Sequence, residues 1–63
     1  LEYFKFLKNM FRFKRKNIRN NINGIYDIEK INNTLNKYGL SVSNRSEELI
    51  EEILLDIFKN SLK

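Results

Sequence analysis

Residues 44–59 read NRSEELIEEILLDIFK, and the fold turns on them. Leu49, Ile50, Ile53, Leu54, Ile57 and Phe58 recur at the i, i+3, i+4 spacing of one helix face. Glu47, Glu48, Glu51, Glu52 and Asp56 fill much of the remainder. Asn44 suits an N-cap, and Glu47 suits the answering carboxylate of a capping box three residues on. Early carboxylates complement the positive end of a helix dipole, as Lys59 and Lys63 complement the negative end. The spacing predicts one amphipathic helix over about residues 44–59. Its apolar face needs a cover: the rest of the chain, a second copy, or a partner. Leu49, Ile50, Ile53, Leu54, Ile57 and Phe58 are therefore the candidate dimer or partner interface.

Working outward, Ile28, Ile31, Leu35 and Tyr38 repeat the helical spacing and predict a helix over residues 27–38. Gly39 stands where a left-handed C-cap is wanted. Leu40 to Ser43 then make a connection of ordinary length, so residues 25–63 read as a helix–turn–helix hairpin. Residues 17–24, NIRNNING, read as a loop, because Asn competes for backbone hydrogen bonds and Gly tolerates positive φ. Ile18 and Ile22 would tack that loop to a core. The heavy use of Asn, Ile and Lys fits an AT-rich coding sequence and needs no structural meaning.

The start of the chain, LEYFKFLKNMFRFKRKNI, is aromatic and basic together. As a helix it gives an apolar stripe of Tyr3, Phe4, Leu7, Met10 and Phe11, with Phe6 and Phe13 off it. As strands, Phe11 and Phe13 alternate with Arg12, Lys14 and Lys16. A helix over about residues 2–15 is preferred, and a short strand at 10–16 stays open. Lysines interrupt the run far too often for a transmembrane span of ~20 apolar residues, and no secretory signal pattern is present.

Composition sets the outer limits. Sixty-three residues are one small domain, with a basic aromatic segment (1–24) ahead of the hairpin. Such a chain buries only ~60% of its unfolded surface, so helix packing or dimerisation must supply stability. There is no Cys and no His, which excludes disulfides and the usual zinc ligands. With no Pro and only Gly24 and Gly39, the class is all-α: a small three-helix domain ending in the hairpin. The charge of +4 is uneven, about +6 over residues 1–24 and −2 over 25–63. That asymmetry points to an anionic partner at the N-terminal end. Its plain alternative is a solvated basic face.

Residues 39–58, GLSVSNRSEELIEEILLDIF, resemble the second half of ribbon-helix-helix DNA-binding domains. The N-R-S-E motif stands here as Asn44, Arg45, Ser46 and Glu47. The resemblance implies an intertwined dimer whose two-stranded ribbon enters the DNA major groove. It also implies that Asn44, Arg45 and Ser46 contact phosphate. The family's strand position holds NNINGIY here, a poor strand, whereas the better alternating segment lies upstream at 10–16.

No catalytic pattern stands out. Glu47/Glu51 and Glu48/Glu52 are i, i+4 carboxylate pairs, read as a solvated helix face rather than acid–base or metal groups. Ser41, Ser43 and Ser46 lack a His to activate them. No enzyme, metal or cofactor is expected. The candidate nucleic-acid contacts are Arg12, Lys14, Arg15, Lys16 and Arg19 with Asn44, Arg45 and Ser46. Phe11 and Phe13 could stack bases of RNA or single strands. The favoured expectation is a small cytoplasmic DNA-binding repressor or accessory factor, homodimeric. A protein-interaction or inhibitor module, or a binder of an anionic membrane surface, is the alternative.

Overall fold

A computed structural model describes residues 2–62. Lys63, expected at the negative end of the last helix, lies outside the described residues. The chain is all-helical: α1 (Glu2–Met10), α2 (Ile18–Ile22), α3 (Ile28–Asn36), a 3₁₀ turn (Ser46–Glu48) and α4 (Glu51–Asn60). Helix α1 packs on α2, and α3 packs on α4. Among the described residues no strand forms, and no helix is long and apolar enough to cross a membrane.

Helix α1 keeps the predicted type but not the predicted face or length. Phe6 and Met10 are fully buried, with Tyr3 and Leu7 packed beside them, while Phe4 is 64% exposed. The stripe is therefore 3, 6, 7 and 10, not 3, 4, 7, 10 and 11. Both stripes share three members, and tertiary partners decide between them. The Phe6 ring meets Tyr3, Tyr26 and Phe58 at centroid distances of 6.0, 5.9 and 5.5 Å. The helix stops at Met10, and residues 11–16 form successive turns, neither the extended helix nor the strand expected there.

The segment read as a loop at 17–24 contains α2. Asn17 caps it, its Oδ1 accepting from the Asn20 backbone N–H at 3.0 Å. The next orphan donors find partners in the later connection: Ile18 N–H donates to Asn44 C=O (2.8 Å) and Arg19 N–H to Val42 C=O (3.0 Å). A five-residue helix has no period of its own to read. It exists because its donors are satisfied from elsewhere and because Ile18 and Ile22 are fully buried.

Helix α3 follows the sequence reading. Asp27 caps it, accepting from Lys30 N–H at 3.2 Å. Gly39 has φ +76, and Leu40 N–H reaches Leu35 C=O (3.0 Å) while Gly39 N–H reaches Asn36 C=O (3.1 Å). That bond pair is a Schellman closure, which needs the left-handed residue that Gly supplies. Asn32 Oδ1 then accepts from Val42 N–H (3.0 Å) and fixes the connection.

The deciding stretch is broken where one helix was expected. Ser46–Glu48 is a 3₁₀ turn, Leu49 and Ile50 are extended, and α4 begins at Glu51. The answering carboxylate is Glu48, not Glu47: its Oε2 accepts from Arg45 N–H (2.8 Å) and its Oε1 from the Asn44 amide (3.0 Å). These bonds, the backbone one first, hold the Glu48 carboxyl below its usual pKa range. The break sets two acidic pairs at two helical starts, Glu47/Glu48 and Glu51/Glu52. It also separates Leu49, which is buried, from Ile50, which is 60% exposed.

The apolar face expected to bind a second copy is covered by its own chain. Leu49, Ile53, Leu54 and Ile57 are buried in the single core with Phe6, Met10, Ile18, Ile22, Ile31, Leu35 and Val42, and Phe58 packs against it. Of the six proposed interface residues only Ile50 stands largely in solvent.

Polar contacts close the α3–α4 pair. The buried Thr34 and Ser61 hydroxyls bond each other. Tyr38 donates its hydroxyl to Asp56, which also accepts from Asn60 (2.8 Å) and lies 3.3 Å from Lys37 Nζ. The Tyr38 bond, the Asn60 bond and Lys37 together lower the Asp56 pKa, and the bond to Asp56 raises that of Tyr38. The Asp56 contribution is present above its unfolded pKa of about 3.9 and is lost as pH falls through the lower folded value. The Tyr38 contribution is present below about pH 10 and is lost as pH rises through the higher folded value. Thermal melts across pH should therefore show Asp56→Asn less stable than the parent between about pH 4 and 10. Its deficit should shrink in acid; a deficit unchanged at pH 2 would refute the linkage.

Candidate functional site

Residues 11–16 carry the densest positive charge. Arg12, Lys14, Arg15, Lys16 and, on α2, Arg19 are all exposed. Among the described residues none of the five is ion-paired with a carboxylate, since the ion pairs join Lys37 to Asp56 and Arg45 to Glu47. Five unneutralised cations on neighbouring turns repel one another, and an anion relieves that repulsion.

Asn21 is what holds this turn in place. It lies on α2, is 1% exposed, and points both ends of its amide at the chain that leaves α1. Its Oδ1 accepts from Phe13 N–H (2.8 Å) and its Nδ2 donates to Met10 C=O (2.9 Å). Ser46 donates its hydroxyl to the same Met10 carbonyl. The frayed end of α1 is thus capped by side chains from two distant segments. Asn17, Asn32 and Asn44 also bond backbone groups, so these asparagines act as structural staples.

The same bonds fold the turn over the 3₁₀ segment and leave a cleft of about 310 Å³ between them. Its walls are Phe11, Phe13, Lys14, Lys16 and Glu47, and Asn21 and Ser46 also line it. Two candidate regions that lie thirty residues apart in sequence, the basic run and the N-R-S-E motif, are here one site. Phe11 and Phe13 remain 41% and 47% exposed. Arg12 stacks its guanidinium over the Phe13 ring, 4.6 Å from the centroid.

The three residues expected to meet phosphate at 44–46 fare differently. Ser46 is 4% exposed and donates its hydroxyl to Met10 C=O. The Asn44 amide is used at both ends, accepting from Ser41 N–H (2.9 Å) and donating to Glu48. Arg45 stays exposed, with Glu47 3.9 Å away. Sequence reasoning missed Asn21 and Glu47 as members of the site. Their roles depend on contacts far along the chain, and no local spacing signals them. Among the described residues no three His, Cys, Asp or Glu side chains group to hold a metal.

No family model matches the chain, and no solved structure matches it. Among curated proteins it is similar to the ribosomal RNA small subunit methyltransferase A of Ureaplasma urealyticum serovar 10, 37% identical over 54 residues. That match covers 86% of this chain and 19% of the relative. The protein of the same name in Ureaplasma parvum serovar 3 is 39% identical over 57 residues, 90% of this chain and 21% of the relative. The chain spans about a fifth of the length of the curated relatives it matches. These similarities correct the expectation of a small DNA-binding repressor, because the matched proteins are ribosomal RNA methyltransferases and not DNA-binding regulators.

Proposed function

We propose that this chain is a helical RNA-engaging module related to part of a ribosomal RNA small subunit methyltransferase, and that its basic turn at 11–16 binds ribosomal RNA. The observation that carries the reading is the 37–39% identity, over nearly the whole chain, to enzymes named for that substrate. Five exposed cations without carboxylate partners support it, since Arg and Lys that reach phosphates release counterions and drive association. The module's part is to hold RNA. We assign it no share in the methyl transfer itself, because it spans only about a fifth of those relatives. A ribosomal RNA target supports a place beside ribosomes, and we propose the cytoplasm.

The test is fluorescence polarisation of a labelled small-subunit rRNA hairpin, titrated with protein at several salt concentrations. Micromolar or tighter binding is expected, with log affinity falling linearly in log salt and a slope of roughly −0.7 to −0.9 for each phosphate neutralised. An unlabelled DNA duplex of the same sequence should compete poorly, because it lacks the 2′-hydroxyls and A-form shape. Absence of RNA binding at low salt would overturn the proposal.

A further inference from the structure

We infer that the cleft between residues 11–16 and the 3₁₀ turn takes one unpaired RNA nucleotide, its base stacked on Phe11 and Phe13 and its phosphates on Lys14 and Lys16. The inference rests on the RNA-binding reading above and adds to it what kind of RNA is held and where.

Phe11 and Phe13 both keep over two-fifths of their surface in water, and both line the cavity. A flat apolar wall next to unpaired cations is how proteins hold unstacked bases, with rings for the base and charge for the backbone. The cavity, about 310 Å³, is at the small end of the range for small-ligand sites. A base inside a helix has both faces covered by its neighbours and cannot enter. An unpaired base in a loop or bulge can.

The polar lining determines how much sequence is read. The Asn21 amide and the Ser46 hydroxyl line the cleft but are already bonded to Phe13 N–H and Met10 C=O. They leave little for reading a base edge, so recognition is by stacking and is tolerant of sequence. Glu47, also on the wall, is an acidic side chain partnered by Arg45 at 3.9 Å, so it attracts phosphate less than Lys14 and Lys16 do. The nucleotide is thus oriented with its phosphates toward Lys14 and Lys16 and its base inward.

The probes are an RNA hairpin with 2-aminopurine in its loop and a fully paired RNA duplex of equal length. The parent protein should bind the hairpin more tightly than the duplex and change the 2-aminopurine fluorescence. Replacing both rings (Phe11→Ala with Phe13→Ala) should cut hairpin affinity by about fivefold to a hundredfold, the range that stacking on one aromatic carries. Duplex affinity should fall by much less, because Lys14 and Lys16 remain. Phe11→Leu with Phe13→Leu keeps the apolar bulk and removes the flat rings, so the same loss is expected in a protein whose circular dichroism matches the parent. Equal parent binding to hairpin and duplex, or a hairpin preference that survives both double variants, overturns the cleft while leaving RNA binding standing. Failure of both RNAs to bind overturns the RNA reading and the cleft together.

Discussion

Phe6→Ala should lose about 3–5 kcal/mol of stability, most of what a domain of this size has. Phe6 is fully buried and is the point where α1, Tyr26 and the C-terminal helix meet through three ring contacts. Deleting the ring removes apolar burial and leaves a void that Tyr3, Tyr26 and Phe58 cannot all close on. In thermal melts the midpoint should fall by on the order of 20 °C, and urea curves at room temperature should show little native baseline. Phe4→Ala is the matching control. Phe4 is largely exposed, with Lys8 Nζ over its ring at 5.7 Å, so the change should stay within about 0.5 kcal/mol. A Phe4 variant as unstable as the Phe6 variant would mean the helix is rotated toward the stripe that sequence favoured.

That pair of residues shows where sequence reading reached its limit. Helical type, the place of α3, the Gly39 closure and the inward places of Ile53, Leu54 and Ile57 follow from local spacing, and all were legible. Which of Phe4 and Phe6 faces inward was not, because Tyr3, Leu7 and Met10 fit either stripe. The break at Leu49 and Ile50 was hidden for a similar reason. Their spacing to Ile53 and Leu54 suits a continuous helix, and nothing in that spacing marks the extended backbone at Leu49 and Ile50. The basic charge of the site was plain in composition. Its convergence with Ser46 and Glu47 was not, since it is made by a bond from Ser46 to Met10 across 36 positions.

The two halves of the molecule divide the work along the same line. The acidic hairpin uses its apolar face to close the core, so little of that face is left to recruit a second copy. The basic half contributes Phe6, Met10, Ile18 and Ile22 to the same core and keeps its charge and the rings of Phe4, Phe11 and Phe13 outside. The junction between them is apolar inside, where Phe6 meets Tyr26 and Phe58, and polar at its rim, where Ile18 and Arg19 bond the 42–44 connection and Ser46 bonds Met10 C=O. Stability and the candidate site meet at the end of α1, and Asn21 belongs to both.

Asn21→Ala should expose this coupling. The change strips the acceptor from Phe13 N–H and one of two donors from Met10 C=O, in a site that is 1% exposed. Orphaning Phe13 N–H costs about 1–3 kcal/mol and losing one of the two bonds at Met10 C=O about 1 kcal/mol more, so a loss of about 2–4 kcal/mol is expected, less if water enters from the cleft. RNA affinity should fall several-fold even at temperatures where the variant is folded, because the turn must then be ordered at the moment of binding. Asn21→Asp separates the two bonds. The aspartate still accepts from Phe13 N–H, but when ionised it sets a carboxylate oxygen against Met10 C=O. Burial and that carbonyl favour the protonated acid, so its pKa in the folded state lies above the unfolded value of about 3.9. Its folded form is then penalised at neutral pH and recovers as pH falls through the raised value, where the acid proton can be given to Met10. Melts of this variant should improve on mild acidification, relative to the parent at each pH. A pH-independent deficit would mean that the carboxylate reaches water through the cleft, and that Met10 C=O is satisfied by Ser46 alone.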